Sequence, residues 1–199
     1  MGLNLAKFFD VVRKPLFSGA MTATQVSGCE RLINGCIAAK MTDLRQVAYL
    51  LATSYHETTT LVGKAWHPTM QPVAEIGKGY GKPYGKPAGP YGHIYYGRGD
   101  VQLTWYDNFV LFSKLTGEDL VRYPDKALDP TLSAKIIVIG MTQGEYTQAR
   151  HKLADFINAK GCDYEGARRI INGTNDAKLI AGNAQIFEQA LRAGGYALA

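Results

Sequence analysis

Hydrophobic positions recur at helical spacing along most of this chain. Leu5, Phe8, Phe9 and Val12 form a first short face, expected to end before Pro15 because proline lacks the amide that continues a helix. Val26, Cys29, Ile33, Cys36 and Ile37 form a second, which Thr22 or Thr24 can cap. Leu44, Val47, Ala48, Leu51 and Tyr55 form a third, opened by Thr42 or Asp43. At about 100° per residue, Glu57 lies opposite this third stripe, so its carboxylate should face water or a cleft. The period is lost from Lys64 to Met70, where Pro68 and Pro72 interrupt it.

Helical faces resume at Trp105, Phe109 and Phe112, at Leu132, Ile136 and Ile139, and at Leu153, Phe156 and Ile157. Leu179, Ile180, Phe187, Ala190 and Leu191 mark a last helix. Asp163 is expected to cap a short helix that runs to Ile171 and stops at Asn172-Gly173, a pair that tolerates positive φ. The alternation from Val101 to Trp105 predicts one short strand. The fold class is therefore mostly α, with at most a small β hairpin around the tyrosine-rich stretch at 77–99.

Residues 77–99 depart from this pattern, with eight Gly, three Pro, five Tyr and three Lys. Tyr80-Gly81-Lys82-Pro83 is repeated at once as Tyr84-Gly85-Lys86-Pro87. A flexible linker is seldom so rich in tyrosine. Flat rings stack on the apolar faces of sugar rings, so a long functional loop walling a sugar cleft is the better reading.

Composition changes the picture little. With 199 residues and 46% hydrophobic content, the chain can bury a core as one domain. The net charge of +5 favours an anionic partner, but the basic residues are scattered and form no nucleic-acid patch. There are three cysteines. Cys29 and Cys36 share a helix face about 10 Å apart along its axis, too far to bridge, so reduced thiols are expected. No signal peptide or spanning helix is expected from the N-terminal sequence, which suits synthesis in the cytoplasm and no stable membrane insertion.

Of the chemical constellations, a zinc-peptidase helix fails because Thr60 stands where a second His would follow His56-Glu57. His67 and His93 have no matching spacing, so neither metal nor cofactor is expected. The cysteines lack an activating neighbour, and no Gly-x-Ser-x-Gly or phosphate loop is present. Two carboxylates remain: Glu57 at a helix end and Glu75 just before the glycine-rich loop. Glycoside hydrolysis needs such a pair, one giving a proton to the leaving oxygen and one acting on water or the sugar.

The run Tyr95-Tyr96-Gly97-Arg98-Gly99-Asp100-Val101-Gln102-Leu103-Thr104-Trp105 resembles the signature of family 19 glycoside hydrolases, the chitinase-like family. His56-Glu57-Thr58 resembles that family's catalytic helix end. Asp119-Leu120-Val121 with Pro124-Asp125, and Ile170-Ile171-Asn172-Gly173, resemble two further motifs in the same order, covering roughly residues 45–195. Thr69-Met70-Gln71-Pro72 is most similar to compact phage and prophage endolysins of the family. The resemblance implies a lysozyme-like, two-lobed helical domain. Residues 1–199 would be a single catalytic domain, in which N-terminal helices 1–40 pack on a core of 41–199. No separate wall-binding module is expected.

The resemblance also implies roles. Glu57 would be the general acid and Glu75 the general base of an inverting reaction, with Thr104 helping to hold the attacking water. His56, Tyr96, Arg98, Gln102, Asn108 and Asn172 would bind the sugar, although Arg98 could instead brace the loop. Tyr55 or Trp66 would supply a low-polarity wall beside the acid. An arginine that the family carries in its last helix would be replaced near Asn183. Asp100, Tyr123 and Thr174 stand where the family has Pro, Asn and Gly. The implied function is that of a monomeric endolysin cutting the β-1,4 bonds of peptidoglycan after release from the host cytoplasm. A chitinase and a non-catalytic sugar-binding protein on the same scaffold remain alternatives.

Overall fold

A computed structural model describes residues 3–196. It has seven α-helices and three two-stranded antiparallel sheets among these residues. Helix α1 (Leu5–Phe17) is capped by Asn4 and carries Pro15 inside its last turn. The expected stop before Pro15 is therefore corrected. Leu16 and Phe17 bury their side chains in the core, and that burial carries the helix past the missing amide.

Helix α2 (Ala23–Ala38) starts at Thr22 with a complete capping box to Gln25. Helix α3 (Leu44–Glu57) starts at Asp43, whose carboxylate accepts the Arg45 amide and is also held by the Arg45 guanidinium. That cation and the amide keep the Asp43 carboxyl below its usual range.

The predicted single stripe on α3 is too narrow. Every residue from Val47 to Ser54 is buried, because α1 and α7 (Ala177–Gly194) cover one side and α2, α5 (Pro130–Gln143) and Tyr164 cover the rest. Only the final turn, from Tyr55 to Glu57, regains partial exposure.

A hairpin of β1 (Thr59–Val62) and β2 (Ala65–Pro68) follows, where the sequence suggested irregular chain. Both strands are largely exposed, so no alternation marks them. Strand β3 (Val73–Ala74) pairs with β4 (Arg98–Gly99) and closes residues 75–97 into one long loop. The strand predicted at 101–105 is absent. Gln102 and Trp105 both take positive φ, 54° and 72°, which turns the chain twice where a strand would run straight.

Helix α4 (Tyr106–Thr116) leads through a 3-10 turn at Pro124–Leu128 into α5. A main core gathers α1, α2, α3 and α7, while a smaller one gathers Tyr95, Leu103, Phe109, Phe112, Leu120 and Ala127. Helix α5 serves both: Ala134, Ile137, Val138 and Met141 enter the first, and Ile136, with Leu132 and Ile139 beside it, enters the second.

Helix α6 (Leu153–Phe156) is a single turn, and Ile157 lies in β5 (Ile157–Asn158), paired with β6 (Gly161–Cys162). The expected helix to Ile171 is a 3-10 turn at Gly166–Ile170, with Asp163 accepting the Gly166 amide. Neither Asn172 nor Gly173 takes positive φ; that conformation falls instead at Asp176, at 59°. No helix among the described residues is long and apolar enough to cross a membrane.

Candidate active site

Glu57 is the last residue of α3, and it leaves the core because the helix ends there. Thr58 caps that end. Its hydroxyl donates to the Ser54 carbonyl and accepts the Met70 amide, and its own carbonyl accepts Thr69. The exit of the β1–β2 hairpin is thus tied directly beneath Glu57.

Across from it, Arg168 donates Nη1 to Glu57 Oε1 at 2.7 Å, and Nε to the Asn175 carbonyl. The pair is largely buried, with side chains 6% and 17% exposed. Glu57 Oε2 has no hydrogen-bond partner among the described residues and is the oxygen left to meet a ligand. The sequence reading missed Arg168, having looked for an arginine in the last helix. The cation comes instead from the 3-10 turn, whose Ala167 and Ile170 anchor it in the main core.

His56 Nε2 stands 3.6 Å from Asp176 Oδ2, and Asn172 donates its backbone amide to the Arg168 carbonyl. Both lie beside the Glu57–Arg168 pair. Tyr55 does not wall Glu57: it packs on Phe17 and Phe187 and donates its hydroxyl to Leu16. Trp66 is 60% exposed on the hairpin.

Glu75 follows β3 and does not hang in solvent. Its Oε2 accepts the Gly97 amide at 3.0 Å and its Oε1 accepts the Tyr84 hydroxyl at 3.0 Å. Its own amide donates to the Gly97 carbonyl. Burial first, then the Glu75 bond, raises the Tyr84 hydroxyl, so tyrosine keeps its proton and donates it. Two neutral donors fix the carboxylate while leaving lone pairs for a water molecule.

The Tyr84 ring meets Trp105 edge-on at 5.5 Å, and Trp105 is 46% exposed. Positive φ at Trp105 is what turns this ring outward beside Thr104. Gln102 packs against Gly97, where a Cβ would come within 2.4 Å of its Oε1, and donates Nε2 to Val73. Asn108 reaches back to the Thr104 carbonyl. The fold thus gathers Glu75, Tyr84, Gln102, Thr104, Trp105 and Asn108, and Tyr84 and Trp105 are additions to the expected set.

Arg98 is only 4% exposed; it donates Nε to Asp125 and Nη1 to the Ile94 and Tyr96 carbonyls, with Tyr96 stacked 3.4 Å beneath it. That geometry braces the loop, and it takes Tyr96 with it.

The two clusters are joined by a buried ion pair. Asp100, fully buried, accepts both Arg31 nitrogens at 2.8 Å and the hydroxyls of Ser54 and Ser133. Ser54 lies one turn before Glu57, and Asp100 lies two residues before Gln102. Arg31 also donates to the carbonyls of Met70 and Pro130. No group of three or more His, Cys, Asp or Glu among the described residues is placed to hold a metal.

The fold that carries these residues is similar to that of solved family 19 chitinases. A bacterial family 19 chitinase, studied for its differences from plant enzymes, matches with a TM-score of 0.60 at 22% identity, over 95% of this chain and 94% of that one. A chitinase C mutant gives 0.57 at 22%, over 98% and 94%. Chitinase C from Streptomyces griseus HUT6037 gives 0.59 at 21%, over 98% and 78%. At these identities the likeness is one of fold. No protein-family profile and no curated protein sequence matches the chain.

Proposed function

We propose that this chain is a glycoside hydrolase that cuts the β-1,4 bonds of bacterial peptidoglycan by direct displacement with water. Glu57 gives a proton to the leaving oxygen, and Glu75 draws one from the attacking water, which the Thr104 hydroxyl helps to hold. Gln102, Asn108 and Asn172 contact the sugar, and Tyr84 and Trp105 wall it. The observation that supports this reading is that each carboxylate is fixed yet keeps capacity for a further partner. Glu57 is held by Arg168 through one oxygen, with the other left to meet the leaving oxygen, and Glu75 is held by Tyr84 and the Gly97 amide with lone pairs left for a water.

The residues act as one catalytic unit, as a monomer and without metal or cofactor, and the biological role is that of an endolysin. The net charge of +5 supports an acidic wall polymer over neutral chitin. Chitin is the second reading, favoured by the chitinase names of the structural neighbours. The test is digestion of purified peptidoglycan and of N-acetylglucosamine oligomers by the parent and by Glu57→Gln. New reducing ends from peptidoglycan, lost in the variant, support the proposal. Turnover of the oligomers alone selects chitin, and no new sugar end from either polymer overturns both readings.

A further inference from the structure

A second groove lies on the small lobe, between residues 92–98 and 122–126. Neither Glu57 nor Glu75 lines it, nor do Gln102, Thr104 and Trp105. Its floor is Tyr96 under the Arg98 guanidinium. Around it stand Tyr123 and, beside it, Tyr91, residues that are 49% and 50% exposed. The Arg122 guanidinium lies 5.9 Å from the Tyr91 ring and 5.2 Å from the Tyr123 ring. His93 is fixed nearby, hydrogen-bonded to the Arg122 carbonyl and 6.1 Å from Tyr91.

The charges here are not equivalent. Arg98 is paired with Asp125, and Lys126 with Glu118. The Arg122 guanidinium has no hydrogen-bond or ion-pair partner among the described residues. Two exposed tyrosines flanking an unpaired guanidinium suit a ligand with a flat apolar face and a carboxylate beside it.

We infer that this groove is a non-catalytic binding site for an acidic glycan strand. Tyr91 and Tyr123 stack on sugar rings, and Arg122 pairs with a carboxylate of the strand or of its peptide. The site holds the enzyme on an insoluble polymer while the cleft works on a neighbouring bond. The inference takes its ligand class from the function proposed above.

The experiment is sedimentation of the protein with insoluble peptidoglycan and, separately, with insoluble chitin. A Glu57→Gln background keeps the polymer intact. Tyr91→Ala with Tyr123→Ala is expected to weaken retention on peptidoglycan about fivefold or more, a loss of about 1 kcal/mol. With Glu57 restored, this pair should leave turnover of soluble oligomers within about twofold. Arg122→Gln is expected to remove the salt-sensitive part of peptidoglycan retention and leave chitin retention unchanged. It also serves if the tyrosine pair fails to fold. Retention equal to the parent in both variants overturns the inference. Tyrosine-dependent retention by a protein with no turnover would leave this site standing while the hydrolase reading fell.

Discussion

At the residue scale, Glu57 reaches the surface for a different reason than its place on the helical wheel. The helical wheel placed it on a polar face, yet α3 has no polar face from Val47 to Ser54. It is accessible because the helix stops. Arg168 was beyond the sequence because it meets Glu57 across 111 residues, and no local period marks such a partner. Tyr84 was visible only as one ring in a repeat. The copies diverge in the fold: Tyr80 is 93% exposed, while Tyr84 turns inward to Glu75. We expect Glu57→Gln to lower kcat by about 10²–10⁴-fold while keeping the parent circular dichroism, since an amide still accepts from Arg168. Tyr84→Phe removes a hydrogen bond to a carboxylate, about 1.5–3 kcal/mol, and should lower kcat by about ten- to a hundredfold. Steady-state kinetics of Tyr84→Phe test this: kcat should fall with KM and the denaturation midpoint near the parent's, whereas a merely structural role would lower the midpoint and leave kcat.

Among the elements, most helices were legible, as was a small antiparallel pair around the tyrosine loop, while the other strands were not. Helical faces at α1, α2, α4, α5 and α7 follow from period 3.6, and the caps of α2 and α3, Thr22 and Asp43, from chemistry. The β1–β2 hairpin shows no period 2, because neither of its faces is buried. The strand expected at 101–105 has the right alternation but breaks at two positive-φ residues. Gly28 fixes how closely α2 approaches the hairpin exit: a Cβ there would lie 2.0 Å from the Met70 carbonyl oxygen. Gly28→Ala should therefore cost about 1–3 kcal/mol by overpacking, read as a lowered denaturation midpoint. It should also disturb Arg31, which donates to that carbonyl. Asp100→Ala should cost more, about 3–5 kcal/mol, because it strands the Arg31 charge in a buried place. Replacing Arg31 and Asp100 together by apolar residues should recover much of that loss.

For the molecule as a whole, the thiols report on the core. Burial pushes Cys29 and Cys36 up to about 12, from an ordinary value of 9.0. Cys162 is exposed. An aromatic disulfide reagent should modify Cys162 alone in the native protein, and all three cysteines after unfolding. The unfolded chain loses the two buried protons above pH 9, while the fold holds them to about 12. Stability is therefore complete below pH 9 and declines as pH rises toward 12. Cys36→Ala should flatten that decline in an alkaline denaturation series.

The central claim is that two unlike carboxylates split a polysaccharide with inversion, which needs them about 6.5–9.5 Å apart with water between. The most direct measurement is the anomeric configuration of the first product, followed by proton NMR before mutarotation on a soluble β-1,4 glycan fragment. An initial α-anomer, formed by the parent and by neither Glu57→Gln nor Glu75→Gln, is the predicted result. An initial β-anomer, or turnover that survives loss of Glu75, would contradict it.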